Sequence, residues 1–138
     1  MIVADTSALI AIILNEPERD RFAATIAAAE RVGISVATVV ETRLVLHRRG
    51  GAKLTKAIEL LLGSDRFEVV AVDAEQADIA HAAFVSYGKG TGHPAQLNFG
   101  DLFSYALAKA RGMPLLYKGG DFARTDVVAA IVPKEKKL

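Results

Sequence analysis

Met1-Ile2-Val3-Ala4-Asp5-Thr6-Ser7-Ala8-Leu9-Ile10 opens the chain. Its first four residues form an apolar run of strand character, which stops at an aspartate. Two hydroxyl residues then lead into an Ala/Leu/Ile-rich segment, so Thr6 or Ser7 is expected to cap a helix. A buried strand followed at once by a helix is the opening of a parallel α/β sheet. There a strand-end acid lies on the carboxyl edge, where such sheets bind their ligands. The function of Asp5 therefore depends on which other groups reach that edge.

Outward from this stretch, strand and helix patterns alternate. The first helix is expected to stop near Asn15-Glu16-Pro17, and Pro17 suits the first turn of a second helix that reaches Glu30. Val32 to Val36 reads as a β-branched strand. Thr38-Val39-Val40-Glu41 has the form of a capping box and opens a helix ended by Gly50-Gly51. Leu54, Ile58, Leu61 and Leu62 are spaced for an amphipathic helix from Lys53 to Leu62, and Phe67 to Val72 for a strand. Asp73-Ala74-Glu75-Gln76 is a second capping pattern and starts a helix lasting to Tyr87. A glycine-rich loop from Gly88 to Gly100 follows, of a length that is often functional. Asn98-Phe99-Gly100-Asp101 opens the next helix, which Gly112 is expected to cap. Leu115 to Tyr117 and Val127 to Val132 read as strands. The expectation is one α/β domain over residues 1–138 with helices on both faces of the sheet, and residues 134–138 as a flexible basic tail.

Bulk properties narrow the class. The chain has 138 residues, enough for one sizeable core. There is no cysteine, so neither a disulfide framework nor a thiolate metal site can form. The longest apolar run, Ala8 to Leu14, is far too short for a bilayer span, and Asp5 interrupts any signal-peptide core. A cytoplasmic protein without membrane contact is expected. The net charge of +1 argues neither for nor against a nucleic-acid partner.

Four acids occupy comparable places in the pattern: Asp5 and Asp121 just beyond strands, Glu41 and Asp101 in the first turns of helices. Each has an ordinary explanation. Glu41 and Asp101 could complete helix caps, and Asp5 and Asp121 could be turn acids. Helix N-termini and strand C-termini share one edge of a parallel sheet, however, so the four can meet there. Two carboxylates about 4 Å apart repel by roughly 4 kcal/mol at an effective dielectric near 20. Gathering four calls for a cation. Oxygen-only ligation suits a hard ion, Mg²⁺ or Mn²⁺, and the chemistry suggested is metal-assisted cleavage of a phosphodiester.

The segments Val3-Ala4-Asp5-Thr6-Ser7-Ala8, Ala37-Thr38-Val39-Val40-Glu41, Leu97-Asn98-Phe99-Gly100-Asp101 and Leu115-Leu116-Tyr117-Lys118-Gly119-Gly120-Asp121-Phe122 carry a resemblance to a known family. The chain resembles the PIN-domain nucleases, and within them the VapC toxins of prokaryotic toxin–antitoxin pairs. The resemblance implies a three-layer α/β/α fold with a central parallel sheet. It implies a Mg²⁺-dependent endoribonuclease acting on an RNA substrate and silenced by a cognate VapB-type antitoxin, with a homodimer expected. By position, Asp5, Glu41, Asp101 and Asp121 would be the catalytic acids, with Asp5, Asp101 and Glu41 as metal ligands. Thr6, Ser7 and Asn98 would orient carboxylates or water. Many members carry threonine near the strand end before the fourth acid, where this chain has Leu116-Tyr117-Lys118, so Asp126 stands as an alternative to Asp121.

Arg43, His47, Arg48 and Arg49 follow Glu41 on one helix, and Arg43, Arg48 and Arg49 could touch RNA phosphates or a protein partner. The ordinary explanation is a solvated helix face. The alternatives to a ribonuclease toxin are another metal-dependent phosphohydrolase and a non-catalytic PIN-like binding module. Phosphatases of the haloacid-dehalogenase type need a second aspartate where Ser7 stands, and no G-x-G-x-x-G follows a strand.

Overall fold

The side chains of the opening strand alternate between two apolar clusters. Ile2 and Ala4 join Leu9, Phe22, Leu46 and Ile58 on one side, and Val3 joins Leu97, Leu102, Leu107 and Leu115 on the other. A strand covered on both faces has no polar position, which is why this stretch is continuously apolar. The computed structural model describes residues 1–131. Four strands, β1 (Ile2–Ala4), β2 (Val32–Ser35), β3 (Phe67–Val70) and β4 (Leu115–Leu116), pair in parallel in the order β3-β2-β1-β4. Val3 lies opposite Gly33 on one side and Leu115 on the other.

The flanking layers contain α1 (Thr6–Ile13), α2 (Arg19–Ala28), α3 (Val36–Gly50), α4 (Ala52–Leu62), α5 (Ala74–Tyr87) and α6 (Phe99–Arg111). Phe22, Ile26, Val39, Leu46 and Ile58 bring α2, α3 and α4 into the first cluster, while Ala83, Leu102, Tyr105 and Leu107 bring α5 and α6 into the second. The result is a three-layer α/β/α fold. The chain steps outward from β1 to β2 to β3 and then returns to place β4 on the other flank of β1. The strand order therefore reverses at β1, and Asp5 emerges at that switch point, where open α/β sheets form their ligand crevice.

Local chemistry differs from the sequence expectation at several ends. Asp5 itself caps α1, its Oδ2 accepting from the Ser7 amide at 3.0 Å, so Thr6 and Ser7 lie inside the helix. Ser35 caps α3 through the Ala37 amide, which puts Thr38 one turn inside the helix and removes the expected Thr38–Glu41 capping box. Asp73 does accept from the Gln76 amide at 2.8 Å, but the Gln76 side chain turns to the Ala71 carbonyl instead of closing the box. Gly112, at φ 62°, ends α6 in the left-handed conformation that its residue type foretold.

The stretch from Val127 makes a bridge instead of a strand, Leu115 donating to Val128 and accepting from Ala130. Val132 and the basic tail at 134–138 lie outside the described residues. The loop from Gly88 is pinned at both ends. Lys89 donates to the Leu97 carbonyl and Leu97 to that of Tyr87, both at 2.9 Å, while Ala95 and Leu97 are fully buried.

Candidate active site

Asp5 is 3% exposed, a depth at which an ionised carboxylate needs donors on both oxygens. It has them. Oδ2 accepts from the Ser7 amide and from Ser7 Oγ at 2.7 Å, and Oδ1 accepts from Ser104 Oγ at 2.6 Å. The Asp5 amide meanwhile donates to the Leu116 carbonyl, tying the strand end to β4. Ser104 lies one turn beyond Asp101 on α6 and shares its hydroxyl with Thr38 of α3 at 3.1 Å. Three helices and two strands thus set the position of one carboxylate.

Glu41 faces the same edge from α3. Its Oε1 accepts from Thr6 Oγ1 at 2.6 Å, and Thr42 donates to the same Thr6 oxygen at 3.1 Å. Burial raises the Glu41 pKa; the Thr6 hydrogen bond opposes that rise and the charge of Asp5 adds to it. Gly100 makes room for the group. A Cβ at that position would lie 1.8 Å from Glu41 Oε2, so no larger residue lets α6 begin against this side chain as it stands.

Asp101 is set by a reciprocal cap. Its amide donates to Asn98 Oδ1 at 2.9 Å, and its Oδ2 accepts from the Asn98 amide at 3.0 Å. Asn98 and Asp101 thus hold each other at the start of α6. The Asp101 pKa is pushed up to about 7, first by burial and then by the charges of Asp5, Glu41 and Asp121, while only the Asn98 bond lowers it. Asp121, exposed at the entry to a short 3-10 turn (Phe122–Arg124), therefore stands close enough for its charge to be felt. Among the described residues, no basic side chain offsets the acids at Asp101.

A hard divalent cation fits this donor set in kind: the ligating atoms are all oxygens, and no basic side chain among the described residues compensates their charge. Among the described residues, no three His, Cys, Asp or Glu side chains are already drawn together tightly enough to hold an ion. Asp5 and Glu41 are instead held by hydroxyl donors, Ser7, Ser104 and Thr6.

Asp126 is placed elsewhere. It accepts from Tyr105 Oη and pairs with Lys109 at 3.0 Å, and these partners lower its pKa, the tyrosine foremost. The alternative fourth acid is therefore an anchor for the C-terminal end of α6. Arg43, Arg48 and Arg49 are all exposed on α3, and Arg48 lines a groove that also contains Glu41. His81 is exposed, and His93 is held by the Ala95 amide and the edge of Tyr87.

The PIN-domain family profile matches residues 2–128. Ribonuclease VapC30 of Mycobacterium tuberculosis is 46% identical over 131 residues, covering 95% of this chain and 99% of that protein. Ribonuclease VapC of Mycolicibacterium smegmatis is 46% identical over 127 residues, covering 92% and 98%. The chain belongs to the VapC ribonucleases of the PIN-domain family. Among solved structures, M. tuberculosis VapC20, described as a toxin that cleaves the sarcin–ricin loop, superposes with a TM-score of 0.78 at 23% identity, covering 96% of this chain and all of that one. A chain of VapBC2 from Rickettsia felis, a structure bound to a DNA fragment from their promoter, gives 0.73 at 16% identity, covering 94% and 96%. At such identities these two report the α/β/α fold.

For a VapC chain, the residues that pattern reading missed are the hydroxyls behind the acids. Ser104, Thr38 and Thr42 are each at most 1% exposed. A signal was present for Ser104. It is the one serine or threonine among the aliphatic and aromatic residues from Leu102 to Leu107, at i+3 from Asp101 and so on the same helix face.

Proposed function

We propose that this VapC chain is a divalent-metal-dependent endoribonuclease, with Mg²⁺ as its ordinary ion and Mn²⁺ as a substitute. The observation that carries the reading is the convergence of Asp5, Glu41 and Asp121 on Asp101, with no basic side chain among the described residues to balance them. Asp5, Asp101 and Glu41 would hold the ion, with Asp121 at the margin of the site. A divalent ion bound there supplies a Lewis acid that acidifies water and offsets charge on the phosphoryl oxygens. Ser7 and Ser104 hold and aim the Asp5 carboxylate, Thr6 holds one Glu41 oxygen, and Asn98 fixes the rotamer of Asp101. Asp101 binds a cation only once ionised, so its proton and the metal compete.

Acting as the toxin of a VapBC-type pair in the cytoplasm, the protein would be held inactive by a VapB-type antitoxin and would work as a homodimer. No described helix is long and apolar enough to cross a membrane. Incubation of the purified protein with RNA and Mg²⁺ tests the activity. Cleavage should vanish with EDTA and with Asp101→Asn; full cleavage by that variant would refute the site.

A further inference from the structure

Beside the acids runs a groove of about 530 Å³ between α3 and the start of α6, containing Val40, Glu41, Leu44, Arg48, Phe99 and Phe103. Phe99 is 76% exposed, more than any other exposed large apolar side chain among the described residues. Both its backbone and its ring are nevertheless engaged. The Asn98–Asp101 capping box holds the backbone on either side, and the ring meets Phe103 edge to face, with centroids 4.9 Å apart and an interplanar angle of 84°. Phe99 precedes Gly100, which abuts the Glu41 carboxylate, and lies two residues before Asp101. Two residues of chain reach about 7 Å at most, the scale of a single nucleotide.

We propose that Phe99 is a stacking platform for the base of an RNA nucleotide flanking the scissile phosphate, with Arg48 taking a backbone phosphate farther along the groove. This rests on the ribonuclease reading given above. The charges favour a nucleic acid over a protein as occupant. The groove has a carboxylate in its wall and a guanidinium beside its apolar floor, and a dry protein interface would have to desolvate both. A nucleotide leaves Glu41 in its wet acidic site, offers Arg48 a phosphate and covers Phe99 with a π-face. Stacking tolerates any base, so the platform would position the strand without reading its sequence.

The test uses the full chain, Mg²⁺ and a single-stranded RNA that it cleaves at a mapped bond. Truncating an exposed ring leaves the core intact, so Phe99→Ala should melt within a degree or two of wild type. It should raise KM roughly five- to 150-fold, the range for losing one base–aromatic stack, and Phe99→Trp should restore it. An RNA made abasic at the nucleotide next to the cut should be as poor a substrate for wild type as intact RNA is for Phe99→Ala, and the variant should lose nothing further on it. Unchanged KM in Phe99→Ala would overturn the platform. Unchanged KM with a shift in sedimentation or in antitoxin affinity would assign the ring to a protein interface instead. If wild type cleaves no RNA under any divalent ion, the ribonuclease reading falls and takes the platform with it; cleavage by wild type with an indifferent Phe99→Ala removes the platform alone.

Discussion

Ser104→Ala isolates the bond that holds the deepest acid. The serine is fully buried, and alanine fills nearly the same volume, so the change removes a hydroxyl without opening a cavity. What it leaves is Asp5 Oδ1, previously a 2.6 Å acceptor, without a protein donor in a residue only 3% exposed. Thr38 Oγ1 loses its 3.1 Å partner as well. A hydrogen bond to a charged group contributes about 1.5–3 kcal/mol. At roughly 3–4 °C per kcal/mol for a chain of this length, the variant should melt about 5–10 °C below wild type in EDTA. Millimolar Mg²⁺ offers the stranded carboxylate another partner, so the gap should narrow when thermal unfolding is repeated with the ion. Cleavage should fall roughly ten- to a hundredfold, because an Asp5 free to turn misplaces whatever it holds. Equal melting temperatures in EDTA would refute the claim that the α6 hydroxyl sets this carboxylate.

Three further outcomes follow from the same geometry. The Asp101 pKa is raised above its ordinary 3.8 to about 7, so its protonated form stabilises the metal-free fold; that contribution is complete below 3.8 and lost as pH rises through about 7. Metal-free wild type should therefore lose melting temperature relative to Asp101→Asn between about pH 4 and about pH 7, and saturating Mg²⁺ should flatten the difference; parallel profiles in EDTA would contradict it. Gly100→Ala places a Cβ 1.8 Å from Glu41 Oε2. Since the far end of a glutamate can swing away, stability should change by less than about 1 kcal/mol. Cleavage should drop at least roughly tenfold as the Thr6–Glu41 bond breaks, measured by kcat beside a melting curve. Asp121→Asn should weaken cleavage while Asp126→Asn leaves it within about twofold of wild type, because Asp126 is engaged by Tyr105 and Lys109; the reverse order would restore Asp126 as the fourth acid.

The elements were legible in sequence because their periods are clean. Val3 between Ile2 and Ala4, the β-branched Val32 to Ser35, and Gly112 after Arg111 each carry a local physical cause for what they form. The edges were less legible. Thr38 looks like a cap because Glu41 follows three residues later, yet Ser35 is a better-placed hydroxyl and captures the cap first. Val127 to Val132 is β-branched enough for a strand, but β4 is only two residues long, and one bridge is all it can accept. Nor could the pattern say where the Thr6, Thr42 and Ser104 hydroxyls point. Their partners are 35, 36 and 99 residues away, a distance that only the packing of α1, α3 and α6 closes.

That same rearrangement strengthens the argument about Glu41. Had Thr38 capped α3, Glu41 would have been needed at the helix end and its acidity would have required no other account. With Ser35 as cap, the side-chain bond that Glu41 makes among the described residues runs to Thr6 on another helix, and burial works against its charge. Asp101 differs. It completes a cap and still has its pKa driven up to about 7 by burial and its acidic neighbours, so local capping explains its rotamer and not its surroundings. A fold selected for stability alone could drop the Glu41 charge at little cost and keep Asp101 as a cap. Keeping both, with Gly100 opening space for one and Asn98 fixing the other, is what a site built to receive a cation requires.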